Sequence, residues 1–534
     1  MTLPVRLHDA AGVRALEARA LAAPGADGGG LMRRAAAAAL DALRAAWPAA
    51  RGIVVLCGGG NNGGDGWTLA RLAREAGLAP RVWWSTPPEA LRGEAAEAAR
   101  EAIAAGVPQG PWTAGAAERS LAGSDVVVDA LLGIGLAAPV RAPTGAIIEA
   151  VNAAGRPVLA LDLPSGLCAE TGRVQGVAVR ADVTVTFIAL KAGLWLGAGP
   201  DHAGEVRLAT LGVVDDVGSS AWQRLDASQV RAALPPRART AHKGQGGHVL
   251  VVGGGEGMPG AARLAGEAAL RVGAGRVTVA CAASCATAVA AGRPELMVQS
   301  LPAVPDEAAV RLRALIAASD ALVVGPGLGR CAWARALVAA ALGDTADGFA
   351  ASRPAVFDAD ALHALGVLSG GAAERAGQPA VPSAPSSSTL RVYTPHPGEA
   401  ARLLGLDAAS VQADRPAALR ALLQRLGGVV VLKGAGTLLA QAGRVPAVCG
   451  RGHPVLAAPG TGDVLAGAIA GLLAQSVDAW DAACAAVWLH ARAGERLANA
   501  ASRGVLAGEV AAELPAALSE AVAGGPDDCE GCRR

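Results

Sequence analysis

The segment APGTGDVLAGAIAGLLAQ (458–475) places small residues directly before a long apolar helix. Gly460, Thr461 and Gly462 predict free backbone N–H groups at the positive end of the helix dipole, which together form a hole for an anion. Asp463 falls in the first helical turn, where we expect the dipole to keep its carboxylate ionised. A base there can accept a hydroxyl proton as a phosphoryl group arrives; the alternative, which the flanking glycines disfavour, is a simple acidic residue at a helix start.

Three glycine-containing turns, each after an apolar run, extend this candidate site along the C-terminal half. KGAGT (433–437) offers a cation and open backbone to a nucleotide, and GPGLG (325–329) lets a ligand approach the backbone closely. HPGE (396–399) puts His396 at the same predicted sheet edge, either as a ligand or as an ordinary satisfied polar group. The loop and Ala-rich helix of 255–277 would also let a substrate approach the backbone.

Short apolar runs alternate with Ala-rich helical stretches along the whole chain. The runs are rich in β-branched residues, are bounded by Gly or Pro and do not alternate in polarity, which is typical of strands buried on both faces. The pattern predicts an α/β fold in which parallel sheets are flanked by helices. The predicted strands lie within 52–60, 125–133, 156–166, 181–189, 246–254, 274–282, 320–329, 353–360, 390–399 and 427–437.

The N-terminal half has its own glycine-rich turn, CGGGNNGGDG (57–66), between a predicted strand and a predicted helix. Such turns expose backbone N–H groups to phosphate, and three of the glycines match the spacing G-x-G-x-x-G. A dinucleotide-binding dehydrogenase also needs an acidic residue after its second strand, to hold the ribose. Here RVWWSTPPE (81–89) ends in Ser85 and Thr86, so we disfavour an ordinary dehydrogenase.

Polar side chains follow three of the N-terminal strands. Asn62 comes after the first, Asp129 ends the next, and Asp162 and Ser165 come after a third. The carboxyl ends of parallel strands face one crevice, so we expect these side chains to meet there. Asn62, Asp129 and Ser165 are oxygen donors of low total charge, which suits a monovalent cation, and Asp162 is left as a candidate acid or base. The alternative is that the aspartates only cap turns.

The best domain boundary is 217–245, which carries prolines, arginines and small polar residues between two strand-rich halves. Its basic cluster is either a solvated linker or a contact for an anionic ligand. We therefore expect one domain over 1–222, a second over 226–518 and a flexible tail over 519–534. The low-complexity stretch 369–390 is expected to form a surface loop.

Composition excludes several classes of protein. Of the 534 residues, 52% are hydrophobic, which excludes disorder as the main state. The formal net charge of +1 provides no positive field to hold nucleic acid or an anionic membrane surface. No uncharged apolar stretch reaches the ~18 residues of a membrane-spanning helix. The 9 cysteines are scattered and do not suggest a disulfide framework, so we expect a reducing, cytoplasmic setting.

The motifs NNGGDG, DALLGIG and DLPSGL, with LMRRAAAAA (31–39), closely resemble the N-terminal domain of the YjeF family, the NAD(P)H-hydrate epimerases. The resemblance implies a Rossmann-like domain that holds the hydrated nicotinamide nucleotide, with potassium bound by Asn62, Asp129 and Ser165. It implies that Asp162 contacts the substrate at the reacting ring and is catalytic. Some relatives keep the fold without the activity and act as scaffolds. The substrate residues so implied are Asn61, Asn62, Gly63, Gly64, Asp65, Gly133, Ile134, Gly135, Leu136, Ala137, Ala138, Pro139 and Asp162.

GTGD before a helix in an α/β domain marks the ribokinase-like superfamily, which includes several small-molecule kinases. The fuller set HKGQGGHVLVVGG, MPGAARLAGEAALRVGAG, GPGLG, DADAL, TPHPGEAARLL, KGAGT and PGTGDVLAG resembles the ADP-dependent NAD(P)H-hydrate dehydratases over about 240–515. The departures are the long 369–390 loop and His363, which follows DADAL where that family commonly has Asn. The resemblance implies substrate contacts at Ala261, Gly327, His396 and catalytic Asp463, and nucleotide contacts at Lys433, Gly434, Ala435, Gly436, Thr437 and Gly462.

Together the two resemblances imply a fused repair enzyme for hydrated NADH and NADPH (NAD(P)HX). One domain would interconvert the R and S hydrates, and the other would dehydrate the S form with ADP as phosphoryl donor. We expect potassium and Mg²⁺ as cofactors, NAD(P)HX and ADP as partners, no nucleic acid, no membrane, and a homo-oligomer. The alternative is a ribokinase-like vitamin-precursor kinase with a non-catalytic nucleotide-binding scaffold domain at its N-terminus.

Overall fold

The computed structural model describes residues 3–22, 28–136, 138–215, 221–234, 237–343, 353–367 and 390–523. The chain divides into two compact units, and the division falls between Gln223 and Arg224. This division lies inside the boundary region 217–245. The exact domain limits of 1–222 and 226–518 stay predictions.

The first unit contains a seven-stranded sheet in which every neighbouring pair is parallel. Its strand order reverses between Gly52–Cys57 and Val126–Ala130, which pair in register from Ile53↔Val126 to Cys57↔Ala130. Such a reversal opens a crevice at the carboxyl ends of the two strands. In spatial order the strands are Gln109–Pro111, Ala79–Trp84, Gly52–Cys57, Val126–Ala130, Val158–Leu161, Val183–Phe187 and Glu205–Ala209.

Helices cover both faces of this sheet. Val55 and Val128 face one apolar cluster, and their neighbours Val54 and Val127 face the other, because successive side chains of a strand point to opposite faces. A short antiparallel pair joins Arg6–Leu7 to Trp222–Arg224. The helices are Ala10–Ala22, Gly28–Ala46, Asn61–Glu75, Gly93–Ala104, Ala116–Ala122, Thr144–Ala153 and Gly199–Ala203.

The second unit also has a predominantly parallel sheet, and its order reverses between His248–Val252 and Ala321–Val324. Near its other edge Thr437–Gln441 is antiparallel to both neighbours, which adds an antiparallel portion to the predicted parallel sheet. The reason is the turn at Lys433–Gly436, which is far too short for the crossover helix that a parallel connection needs. In spatial order the strands are Ala447–Cys449, Thr437–Gln441, Val429–Leu432, Arg391–Tyr393, Ala355–Phe357, Ala321–Val324, His248–Val252, Arg276–Ala282 and Met297–Leu301.

Helix Thr461–Leu473, which begins at the GTGD turn, lies directly against helix Pro259–Arg271. A Cβ atom added to Gly467 would stand 2.0 Å from the carbonyl oxygen of Ala265, so the small residues of this segment let the two backbones touch. The other helices are Ala227–Ala233, Ala286–Gly292, Pro305–Ala317, Ala332–Leu342, 360–367, Pro397–Leu404, Ala408–Ala413, Arg415–Leu426, Ala479–Ala498 and Ala507–Ala523.

The last of these helices corrects one expectation. Residues 519–523, assigned to a flexible tail, continue the helix Ala507–Ala523, because its face packs onto the core and buries Ala521 completely. Arg231 also donates a hydrogen bond to the Ala521 carbonyl oxygen at 3.1 Å. The remainder of the expected tail and nearly all of the 369–390 stretch lie outside the described residues. Among the described helices, none is both long and apolar enough to span a bilayer.

Candidate active sites

A cleft of about 970 Å³ opens at the carboxyl ends of the central strands of the first unit. Most of the predicted substrate residues line this cleft. Gly63 and Gly64 are buried and do not line it, and Ala137 lies outside the described residues. The predicted residues that line it are Asn61, Asn62, Asp65, Gly133, Ile134, Gly135, Leu136, Ala138, Pro139 and Asp162.

Gly63 and Gly64 serve close packing beneath the glycine-rich turn. A Cβ atom on Gly63 would stand 2.1 Å from the Gly58 carbonyl oxygen, and one on Gly64 would stand 2.5 Å from Cε of Met32. Such separations are far inside van der Waals contact, so a larger residue would push the turn away from the sheet. These two glycines thus shape the floor under the neighbouring residues Asn61 and Asn62.

Asn62, Asp129 and Ser165 lie around one short segment, but only Asn62 lines the cleft, and Asp129 and Ser165 are buried beside it. The Ser165 hydroxyl donates to Asp129 Oδ1 at 2.6 Å, and the Ser165 amide donates to Asp129 Oδ2 at 2.7 Å. Asn62 Nδ2 donates to the Leu132 carbonyl oxygen at 2.9 Å, while the Leu132 amide donates to Ser165 Oγ at 2.8 Å. The three side chains therefore surround one short segment after the strand Val126–Ala130.

Among the described residues, this group of three side chains lacks a counter-charge and one hydrogen-bond donor. Asp129 is fully buried, and burial raises its pKa to about 6 even though hydrogen bonds from Ser165 and Leu131 oppose the rise. No Lys, Arg or His of the described chain pairs with it, and Asn62 Oδ1 is buried without a hydrogen-bond partner. An unpaired buried carboxylate beside an unused carbonyl oxygen fits a cation held by oxygen ligands. The described residues contain no group of three or more His, Cys, Asp or Glu side chains that could hold a metal ion.

Asp162 forms an ion pair that sequence reasoning missed. Its Oδ1 contacts Nζ of Lys191, which is only 1% exposed and also donates to the Phe187 carbonyl oxygen at 2.6 Å. The Phe187 amide donates to the same carboxylate oxygen at 3.2 Å. Asp162 sits at φ 67°, a left-handed conformation that non-glycine residues seldom adopt and that turns the side chain from the strand end into the cleft. Asp162 and Lys191 together form the charged wall of this site.

Further carboxyl groups face the same pair. Burial first, then the charges of Asp162, Glu17 and Glu94, hold the pKa of Asp65 well above its usual range. The pKa of Glu17 is raised mainly by burial and then by Asp162. Glu17 comes from the helix Ala10–Ala22 and Glu94 from Gly93–Ala104, and both line the cleft. Burial and the neighbouring carboxylates therefore make Asp65 and Glu17 harder to ionise than ordinary carboxyl groups.

The second site lies at the start of helix Thr461–Leu473. Its N-cap is Gly460, at φ 88°, and no side chain caps the helix. The Thr461 amide donates to the Ala458 carbonyl oxygen at 3.4 Å, so the amides of Gly460 and Gly462 are the ones open to an anion. A Cβ atom on Gly462 would stand 3.1 Å from Nζ of Lys433, which places the ammonium group over the same amides. Nε2 of partly buried His490 lies 3.0 Å from the Thr461 carbonyl oxygen. The predicted anion hole therefore includes a cation contributed by another strand.

The charges around Asp463 correct the expectation that the helix dipole keeps it ionised. Burial raises its pKa to about 7, with further upward contributions from Asp358, Asp360 and Glu399 that outweigh the lowering by Lys433. Lys433 is drawn to Asp358, with Nζ 2.6 Å from Oδ1, and lies 4.0 Å from Glu399 Oε2. Desolvation and like charges at close range thus exceed the dipole effect. The carboxyl group titrates near neutral pH, where a general base works best.

His396 caps a helix. Its Nδ1 accepts hydrogen bonds from the amides of Gly398 at 3.0 Å and Glu399 at 3.4 Å. The Glu399 carboxylate in return accepts from the His396 amide at 2.8 Å. Nδ1 is therefore occupied, and a substrate contact through His396 would have to use the half-exposed Nε2 edge. The HPGE motif follows the strand Arg391–Tyr393, as predicted. The role of His396 as a substrate ligand stays a prediction.

The other predicted substrate residues of this half are neighbours at the strand-order reversal. Gly327 has φ 58°, and a Cβ atom on it would stand 3.0 Å from Cβ of Ala261 and 2.7 Å from the Met258 carbonyl oxygen. Leu264, one turn along from Ala261, is 2.8 Å from where a Cβ of Gly460 would stand. The predicted nucleotide-binding turn Gly434–Thr437 follows Lys433, and the Thr437 hydroxyl donates to the Gly434 carbonyl oxygen at 3.0 Å.

The two units therefore define a two-domain α/β protein with a Rossmann-like half and a ribokinase-like half, each with an Asp–Lys pair at its strand ends. Residues 28–193 match the family described as YjeF-related protein N-terminus, and residues 249–516 match the family described as NAD(P)H-hydrate dehydratase.

Curated relatives span both halves. The bifunctional NAD(P)H-hydrate repair enzyme Nnr of Coxiella burnetii is 43% identical over 89% of this chain and 92% of its own length. The enzyme of the same name from Escherichia coli K12 is 38% identical over 91% of this chain and 88% of its own length. The chain belongs to this family of bifunctional NAD(P)H-hydrate repair enzymes. These relatives favour the repair enzyme over the vitamin-precursor kinase that the sequence had left open.

Among solved structures, the ADP/ATP-dependent NAD(P)H-hydrate dehydratase of Bacillus subtilis, co-crystallised with ATP and Mg²⁺, is 27% identical, with a TM-score of 0.46. The match covers 55% of this chain and 97% of that one. A yeast protein, ynu0, is 22% identical, with a TM-score of 0.33 over 35% of this chain and 83% of that one.

Proposed function

We propose that the first unit epimerises the R and S forms of NAD(P)HX and that the second unit dehydrates the S form with ADP as phosphoryl donor. The proposal is supported by relatives that span both halves and by two separate sets of ionisable groups, one in each unit. The observation that carries it is the pair of strand-end sites, Asp162 with Lys191 and Asp463 with Lys433.

In the epimerase unit, Asp162 is proposed to exchange a proton with the hydroxyl group on carbon six of the hydrated ring. Lys191 fixes the carboxylate through Oδ1, which leaves Oδ2 to face the cleft. The raised pKa of Asp65 supports its role as a donor in the same cleft. The cleft residues 133–136 and Ala138 would hold the nucleotide, since a Cβ on Gly135 would meet no atom within 4 Å and the wall is therefore open.

Potassium is proposed to bind at Asn62, Asp129 and Ser165. The orphaned Asn62 Oδ1 and the buried Asp129 carboxyl, which has no cationic partner in the described chain, support this assignment. The cation would supply the charge that lets Asp129 ionise and thereby order the segment around Leu132. That segment leads into the loop proposed to hold the nucleotide.

In the dehydratase unit, Asp463 is proposed to take the hydroxyl proton of the S hydrate while the hydroxyl oxygen attacks the terminal phosphate of ADP. A bond forms between that oxygen and phosphorus, and the bond from phosphorus to the AMP oxygen breaks. Phosphate then leaves carbon six, and a neighbouring ring proton is lost, which restores NAD(P)H. Phosphate is a far better leaving group than hydroxide at neutral pH, which is why a kinase-like fold serves a dehydration.

Lys433 and the amides of Gly460 and Gly462 would hold the transferring phosphoryl group, and the turn 434–437 would hold the rest of the diphosphate. Mg²⁺ would neutralise charge on the nucleotide phosphates when bound. Ala261, Gly327 and His396 are the proposed substrate contacts. A cytoplasmic location and a homo-oligomeric state complete the proposal and rest on the sequence alone.

The proposal is tested by incubating the full chain with mixed hydrates and following the absorbance of reduced nicotinamide. With ADP and potassium we expect complete conversion of both epimers. Without nucleotide we expect only exchange between epimers, which chromatography resolves. Accumulation of a stable phosphorylated product, or recovery limited to one epimer, would contradict the proposed pair of activities.

A further inference from the structure

Arg415 begins the helix Arg415–Leu426 and is buried, with 7% of its surface exposed. Its guanidinium group reaches the turn that follows the strand Val429–Leu432 and donates only to backbone carbonyl oxygens. Nη1 donates to Ala435 at 2.6 Å, and Nη2 lies 3.1 Å from Leu432, 3.3 Å from Lys433 and 3.2 Å from Gly436. The Arg415 side chain therefore contacts the backbone of the turn along its whole length.

This guanidinium has no acidic partner. Burial lowers the pKa of Arg415 to about 10, so the group is still charged at neutral pH. None of the carboxylates in the described ranges forms an ion pair with it, and its Nε is buried without a hydrogen-bond partner. A buried charge that lacks a counter-charge is costly, so a fold seldom places one without a function or a ligand to offset it.

The carbonyl contacts decide where the amides of the turn point. In a trans peptide the C=O and the following N–H point in opposite directions. Because the carbonyls of Lys433 and Ala435 face Arg415, the amides of Gly434 and Gly436 face away from it. These two amides, and that of Ala435, donate to no acceptor in the described structure. Gly434 at φ 140° and Gly436 at φ 63° adopt conformations that favour glycine.

We propose that Arg415 is a positioning residue that turns the amides of Gly434 and Gly436 outward to bind the diphosphate of the nucleotide and places a positive charge behind them. This inference rests on the proposed nucleotide site at Lys433–Thr437. Amides that converge on the outer side of a turn form an anion-binding concavity, and an unneutralised cation behind them strengthens it. The bound diphosphate is thus the counter-charge that the buried guanidinium lacks.

The test compares Arg415→Met and Arg415→Lys with Arg420→Met, which alters an exposed arginine on the same helix. Affinity for ADP is measured by titration calorimetry, and the KM for ADP and for the hydrate are measured in the dehydration assay. Arg415→Met should weaken ADP binding and raise its KM about 10- to 100-fold, the equivalent of one or two charged hydrogen bonds. The KM for the hydrate should stay within about twofold, and Arg420→Met should resemble the parent.

The ADP affinity of Arg415→Lys should lie between those of Arg415→Met and the parent. An ammonium group keeps the positive charge but lacks the planar guanidinium fork that reaches all four carbonyl oxygens. Epimerisation by the other unit measures the amount of intact chain in each preparation, and thermal unfolding followed by circular dichroism reports whether the unit that contains position 415 is folded. If the parent bound no nucleotide, the proposed function itself would fail. If the parent bound ADP and Arg415→Met bound it equally well, only the role of Arg415 would be refuted.

If Arg415→Met does not fold, a rescue experiment on a second variant tests the same proposal. Arg415→Ala leaves a cavity that matches a free guanidinium ion, so millimolar guanidinium should restore ADP affinity in a saturable way. Sodium chloride at equal ionic strength should not restore it. A folded Arg415→Ala protein with weakened ADP binding that guanidinium did not improve would refute the proposal.

Discussion

Asp358→Asn should shift the pH dependence of dehydration to lower pH. In the parent, Asp358 opposes ionisation of Asp463 directly and also binds the ammonium group of Lys433 at 2.6 Å. The substitution removes the negative charge and releases Lys433 toward Asp463. Both changes favour the Asp463 carboxylate, so the direction of the pKa change is fixed.

The expected size of the shift in the Asp463 pKa follows from the relative sizes of the effects of burial and of neighbouring charges. The pKa of Asp463 is about 7, and burial, which the substitution leaves in place, is the largest reason. A single neighbouring charge typically moves a carboxyl pKa by about 1–3 units. We therefore expect the acidic limb of the kcat/KM profile to move from a midpoint near 7 to one about 1–2 units lower. The plateau rate should fall as well, because a weaker base accepts the proton less readily.

The assay is NAD(P)H formation from the S hydrate and ADP in constant-ionic-strength buffers from pH 4.5 to 9 (roughly two units either side of the expected midpoint). The epimerisation profile of the same preparation is the internal control, since Asp358 belongs to the other unit. An unchanged midpoint for Asp358→Asn, or one shifted upward, would show that Asp463 is not the group whose ionisation limits the rate.

Five further outcomes are expected. Asp463→Asn should lower dehydration about 10²–10⁴-fold without loss of epimerisation. The same variant should raise Tm at pH 8 but not near pH 4. A carboxyl group whose pKa is raised in the folded state makes the protein less stable as the pH rises through that pKa. An equal Tm change at both pH values would contradict this. Asp129→Asn should remove the potassium dependence of epimerisation, and retained dependence would move the ion elsewhere. Lys191→Met should reduce epimerisation at least about 100-fold while dehydration stays normal, which assays of both activities check. Gly63→Ala should lower Tm and epimerisation together, since its Cβ would stand 2.1 Å from the Gly58 carbonyl oxygen, and a parental Tm would refute the tight packing.

The amino-acid composition contained one signal for the two ion pairs that sequence reasoning did not use. Lysine occurs only at positions 191, 243 and 433 of an arginine-rich chain. Two of these three lysines are the partners of Asp162 and Asp358. A compact ammonium group fits a site that a guanidinium would overfill, so retained lysines were informative. Lys433 was found through its KGAGT turn, whereas Lys191 has no comparable local motif.

The sequence by itself determined the fold class and the location of both sites. Buried parallel strands need β-branched apolar runs, and a turn that brings backbone to phosphate needs glycine, so both leave local patterns. Asn62, Asp129 and Ser165 could be grouped in advance because parallel strands bring their carboxyl ends to one edge. The family resemblance then gave the chemistry, which the relatives support.

Only the tertiary structure decided the electrostatics and the fine positioning. The Lys433–Asp358 contact joins residues 75 positions apart, and the Arg415 contacts link a helix to a later turn. The pKa of Asp463 depends on burial and on carboxylates from two other segments, which exceeded the helix dipole that local sequence could predict. Local spacing records backbone conformation, whereas desolvation and charge pairing depend on distances between remote residues, which exist only after the chain has folded.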